Sequence, residues 1–89
     1  MDTPTLELYQ ALLQLETVAE CEAFLKDLCT IKEVQAMAQR WQAARLLASG
    51  KTFLQIEAIT GISSTTLSRV SQAYRYGQGY RALVKKTSR

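Results

Sequence analysis

The sequence contains no histidine, which removes the side chain that most often serves as general base, proton relay or metal ligand near neutral pH. Only two cysteines are present, Cys21 and Cys29. Their spacing matches neither a CxxC redox pair nor a zinc site, so the expectation is two buried thiols in a reducing compartment. One proline and four glycines in 89 residues leave no room for a Pro- or Gly-rich linker, and no internal repeat or low-complexity stretch is seen. No apolar run reaches the roughly 18 residues of a membrane span, and the opening MDTPT is acidic, unlike a signal peptide. A cytoplasmic protein without membrane contact is expected. With no histidine, no paired acid site and no nucleophile beside a base, an enzyme has no support, and neither a metal nor a resident cofactor is expected.

Acidic residues are also missing from one end. After Glu57 none occurs, while Arg69, Arg75, Arg81, Lys85, Lys86 and Arg89 follow. Residues 1–29 carry six acids against one base, and residues 30–89 carry ten bases against two acids, so regions of −5 and +8 underlie the net charge of +3. A positive field confined to one part of a chain suits a polyanionic partner, because neutralising phosphates releases counterions.

What is present is helix-forming pattern, and no β alternation competes with it. Thr3-Pro4 reads as N-cap and first position of a helix whose Leu6, Tyr9 and Leu13, flanked by Leu8, Leu12 and Leu15, form an apolar stripe too wide for one neighbouring helix. Such a stripe points to a second subunit. Thr17-Val-Ala-Glu20 is a capping box opening a helix with Cys21, Phe24, Leu25 and Leu28 inward, and Thr30-Ile-Lys-Glu33 opens the longest helix. That helix runs through Val34, Met37, Ala38, Trp41, Ala44 and Ala48 to Gly50, with Trp41 as a core anchor.

The most informative stretch is Thr52 to Gln72, TFLQIEAITGISSTTLSRVSQ. A third box, Thr52-Phe-Leu-Gln55, starts a short helix in which Ile56 and Ile59 lie one turn apart. Gly61 then allows a tight turn, Ile62 forms a wedge, and Ser63 or Ser64 caps a second helix, from about Ser64 to Tyr74, with Leu67, Val70 and Tyr74 as its buried stripe. Two helices joined by such a turn make a helix-turn-helix, whose second helix enters the DNA major groove. Glu57 occupies the place where many such motifs carry alanine. The outward residues are small hydroxyls, one amide and cations, suited to base edges and phosphates. Ser64, Thr65, Thr66 and Ser68 are candidates for bases or bridging waters, Gln72 for either base or phosphate, and Arg69, Arg75 and Lys51 for phosphates. Beyond Tyr76, GQGYRALVKKTSR reads as a loop, a brief docked segment carrying Tyr80, Leu83 and Val84, and a frayed basic tail. The expected organisation is a single helical domain: dimerisation helices over 1–29, a central helix over 30–50, the helix-turn-helix over 52–76 and a C-terminal segment over 77–89. A helical protein-interaction module that reads no DNA remains the alternative; steep salt dependence of binding distinguishes the two.

From about Leu28 to Arg69, and on through RYGQGY, the sequence resembles the Trp repressor superfamily and more closely its TrpR-related branch usually called YerC/YecD. The residues that carry the resemblance are LCTIKEVQAMAQRWQAARLLASGKTFLQIEAITGISSTTLSRVSQA. It implies an all-α, Trp repressor-like bundle, an intertwined homodimer with two helix-turn-helix heads, acting as a transcriptional repressor on double-stranded DNA. It also implies an effector pocket at Thr30, Arg40, Thr66, Arg69 and Val70. The first four match the family's residue types if a one-residue gap falls near Gly50, whereas Val70 stands where the repressor has glycine beside the indole, and Ala73 where it has serine. A small-molecule corepressor stays open; Val70 argues against L-tryptophan, and the expectation is constitutive DNA binding or a smaller effector.

Overall fold

Side-chain caps cut this chain into helices. The computed structural model describes residues 1–88, and their regular structure is entirely helical: α1 (Thr3–Leu12), α2 (Val18–Leu28), α3 (Ile31–Ala48), α4 (Phe53–Thr60), α5 (Ser64–Tyr76) and α6 (Gly79–Thr87). Asp2, rather than the expected Thr3, caps α1, its Oδ1 accepting the Thr5 N–H at 3.2 Å with Pro4 in the first turn. Hydrogen bonds from Thr5 hold the Asp2 carboxyl below its usual value. Thr17 accepts the Glu20 N–H, but the Glu20 carboxylate turns back to the Glu16 N–H at 2.7 Å, so this box is not reciprocal. The Thr30–Glu33 box is: Thr30 N–H donates to Glu33 Oε1 at 2.7 Å and Glu33 N–H to Thr30 Oγ1 at 3.1 Å. The first of these bonds lowers the Glu33 pKa, so the box stabilises the start of α3 above the ordinary glutamate range and that contribution is lost as pH falls through the lowered value. Thr52 and Gln55 form the third box, also reciprocal, at the start of α4.

Two glycines end helices where only a left-handed backbone serves. At Gly50, φ +88°, the Lys51 N–H reaches Leu46 O and the Gly50 N–H reaches Leu47 O, the paired bonds of a Schellman stop. At Gly61, φ +72°, a single bond to Glu57 O closes α4.

Contacts divide the chain into two units, Met1–Val34 and the rest from Gln35 onward. In the first, no residue of α1 or α2 is buried. Leu6, Tyr9, Leu12 and Leu13 are exposed, Leu13 at 81%, and Leu28 likewise, while Phe24 and Leu25 are half-buried. The expected buried thiols are corrected as well: Cys21 and Cys29 are free and half-buried, because this unit offers nothing to enclose them.

The second unit has a core of Ala43, Ala44, Ile56, Ile62, Leu67 and Val70, with Trp41, Leu46, Leu47 and Tyr80 packed against it. Trp41 therefore stands at the edge of the core rather than at its centre. Ile59, one turn from Ile56, is 53% exposed, and Met37, Ala38 and Ala48 are exposed too. After Tyr76 the expected loop is reduced to Gly77 and Gln78, and the expected docked segment is the nine-residue helix α6, which packs on α5 and half-buries Tyr80 and Val84. The final residue of the expected tail, Arg89, lies outside the described residues. Among the described residues no helix is long and apolar enough to cross a membrane.

These placements separate two apolar positions of α4 and α5. Leu67→Ala removes a fully buried side chain and is expected to lower stability by about 2–5 kcal/mol, whereas Ile59→Ala should stay within about 0.5 kcal/mol. Urea denaturation at one protein concentration measures both; equal losses would contradict the assignment.

Candidate nucleic-acid interface

Helix α5 carries the candidate interface, and its cap and turn set where it starts. Ser63 Oγ accepts the Thr66 N–H at 3.2 Å, and the Ser63 hydroxyl donates to Thr66 Oγ1 at 3.0 Å. Upstream, the Thr60 hydroxyl donates to Ile56 O at 2.7 Å and accepts the Ile62 N–H at 3.1 Å, while Gln39 of α3 donates its amide to Thr60 O at 3.1 Å. The turn between α4 and α5 is thus tied at both sides of Gly61, and Ile62 drops into the core as the expected wedge.

From that start the 3.6-residue repeat sorts α5 into two faces. Leu67, Val70 and Ser71 are buried and Tyr74 half-buried. Opposite them Thr65, Ser68, Arg69, Gln72, Arg75 and Tyr76 are exposed along a helix of 13 residues, about 20 Å. The outward ridge holds three hydroxyls, one of them the Tyr76 phenol, an amide and two guanidinium groups, with no acid anywhere after Glu57 to oppose a phosphate. Tyr76, 83% exposed at the end of the ridge, is a residue the sequence pattern did not single out.

The remaining candidates divide. Ser64 is exposed at the first position of α5. Thr66 lies to the side, half-buried, its hydroxyl engaged by Ser63. Lys51 is exposed in the link between α3 and α4. Of the effector candidates, Thr30 belongs to the first unit, engaged with Glu33, and the other four to the second. Arg40 is half-buried on α3, Arg69 is exposed on the ridge, and Val70 is 2% exposed within the core. Gln39 and Thr60, which fix the turn, were not legible as a pair, being 21 positions apart.

At the far end of α5, Gly77 donates its N–H to Ala73 O at 2.9 Å, and a Cβ at Gly77 would sit 2.6 Å from that oxygen. Any larger residue there must push the helix end aside. Among the described residues no cluster of three or more His, Cys, Asp or Glu side chains could hold a metal.

The Trp repressor protein family matches residues 5–88. The uncharacterised protein YerC of Bacillus subtilis (strain 168) is 45% identical over 71 residues, which span 80% of this chain and 68% of that one. A crystal structure of a Staphylococcus aureus protein superposes with a TM-score of 0.92 at 36% identity, covering 98% of this chain and 89% of the other. A TrpR like protein from Eubacterium eligens ATCC 27750 gives a TM-score of 0.91, also at 36% identity, over 98% and 92% of the two chains. Six helices in this order, a glycine turn before a polar-faced α5, and a match that runs nearly end to end place the chain in the Trp repressor family.

Proposed function

We propose that the chain is a homodimeric, sequence-specific DNA-binding transcriptional repressor of the cytoplasm, with α5 as its reading helix in the major groove. The observation that carries this is the division of α5: Leu67 and Val70 are sealed in the core, and Thr65, Ser68, Arg69, Gln72 and Arg75 stand out together with no acid among them. In this reading Ser64, Thr65 and Ser68 near the start of α5 meet base edges or bridging waters, Gln72 meets a base or a phosphate, and Arg69, Arg75 and Lys51 hold phosphates. Thr66 supports the cap behind them. The second copy is called for by residues 1–34, whose apolar side chains find no core within one chain.

Arg69→Ala is expected to weaken binding to every duplex and to lower the salt slope by about one ion, whereas Thr65→Ala changes the preference among duplexes. Titration at several salt concentrations, on duplexes selected from random sequence and on scrambled controls, measures both. An unchanged slope for Arg69→Ala would contradict its phosphate role.

Val70 bears on the effector. A β-branched residue on a helix is held largely in one rotamer, and Val70 is packed in the core with Leu67 and Ile56. In this reading Val70 takes up the room an indole would need beside α5, so the reading head is set without a ligand. Calorimetry with L-tryptophan is expected to show no binding, and duplex affinity to be the same with and without it. Micromolar binding that also tightens the DNA complex would overturn this.

A further inference from the structure

By charge alone Arg81 belongs with the cations that could face a phosphate backbone. Its geometry gives it other work. Helix α5 ends at Tyr76, leaving carbonyls of its last turn without the N–H groups that a continuing helix would bring. The break at Gly77 and Gln78 supplies only the Gly77 N–H, which goes to Ala73 O. Arg81, on the first turns of α6, reaches back and donates from Nε and Nη2 to Tyr74 O at 3.3 and 3.2 Å, and from Nη2 to Arg75 O as well. A cation at this end also opposes the negative pole of the helix. Tyr80, the residue before it, is half-buried against the core and anchors α6 so that the guanidinium is held in reach. The last turn of α5 bears Arg75, and Gln72 lies one turn earlier.

We infer that Arg81 is a positioning residue for DNA binding: by capping the C-terminal carbonyls of α5 it keeps the last turn helical and so keeps Arg75 on the ridge, and its own charge is not a phosphate contact. This rests on the proposed role of α5 in reading DNA. It turns α6 from a tail into the strut of the reading helix. It also accounts for an α6 that forms without a side-chain cap at Gln78, since tertiary contacts at Tyr80 and Arg81 fix its start.

Two measurements on the full chain test this. In the free protein, amide hydrogen exchange followed by NMR should show residues 74–77 exchanging about tenfold faster in Arg81→Ala, with α4 amides unchanged and Arg81→Lys intermediate. Unaltered exchange at 74–77 overturns the inference whether or not DNA binds. On a selected duplex, Arg81→Ala should weaken binding about tenfold in the natural chain, yet add almost nothing when Arg75 is already alanine. The salt slope of the doubly substituted chain should fall by about one ion. Additive losses and a fall of about two ions would make Arg81 a phosphate contact and overturn it. If the natural chain binds no duplex at any salt concentration, the proposed function fails instead, and exchange alone decides whether Arg81 holds α5.

Discussion

Burial of Leu67 and Val70 against Ile56 and the alanine pair Ala43 and Ala44 is the constraint from which the candidate interface follows. Each is closed off from solvent, and the alanines of α3 take little space, so larger side chains from α4 and α5 fill the contact. Apolar burial of this kind is the main favourable term in so small a unit. Once Leu67, Val70 and Ser71 point inward, the helical repeat leaves Thr65, Ser68, Arg69, Gln72 and Arg75 no direction but outward. The polar ridge is thus a consequence of packing, and its composition is what the proposed recognition rests on. The same packing uses Val70 as a core residue, which is why the interface is proposed to form without a corepressor.

Residues 1–34 pose the opposite physical problem. Their leucines and Tyr9 repeat at helical spacing, their caps at Asp2, Thr17 and Thr30 are well made, and yet neither α1 nor α2 buries one residue. Good caps and amphipathic spacing make helices, but helices of 10 and 11 residues gain most of their stability from packing. A second copy of the chain, offering the same apolar faces, supplies that packing in the proposed dimer and presents two reading helices to one duplex, as an operator with two half-sites requires.

Local chemistry was the legible part of the sequence. Thr30 and Thr52 announce helix starts because a hydroxyl followed three residues later by a side-chain partner needs no distant help, while the α5 start was legible only as Ser63 or Ser64, of which Ser63 is the cap. Gly50 and Gly61 mark stops because glycine readily takes the positive φ found at both. Asp2 displaced Thr3 as a cap by one position, the usual uncertainty at a helix end. In the eight-residue α4 both Ile56 and Ile59 fit an apolar repeat, and the burial pattern of the finished fold selects only Ile56. Helix α6 was hidden by two glycines and an N-cap without a side-chain bond, since what holds it, Tyr80 on the core and Arg81 on α5, is tertiary. For the same reason the outward face of α5 could be read from spacing, while the bond from Gln39 to Thr60 could not. The resemblance supplied family and fold, and the chain's membership of the Trp repressor family agrees with it.

The proposed function comes to one claim: two chains, without added ligand, read one duplex. Sedimentation equilibrium of the full chain on a fluorescent duplex selected from random sequence, in buffer free of tryptophan, measures it. The expected result is a salt-sensitive complex containing two chains per duplex, about 20 kDa of protein from chains of 10.0 kDa. One chain per duplex, or a complex that forms only when tryptophan is added, would contradict the account.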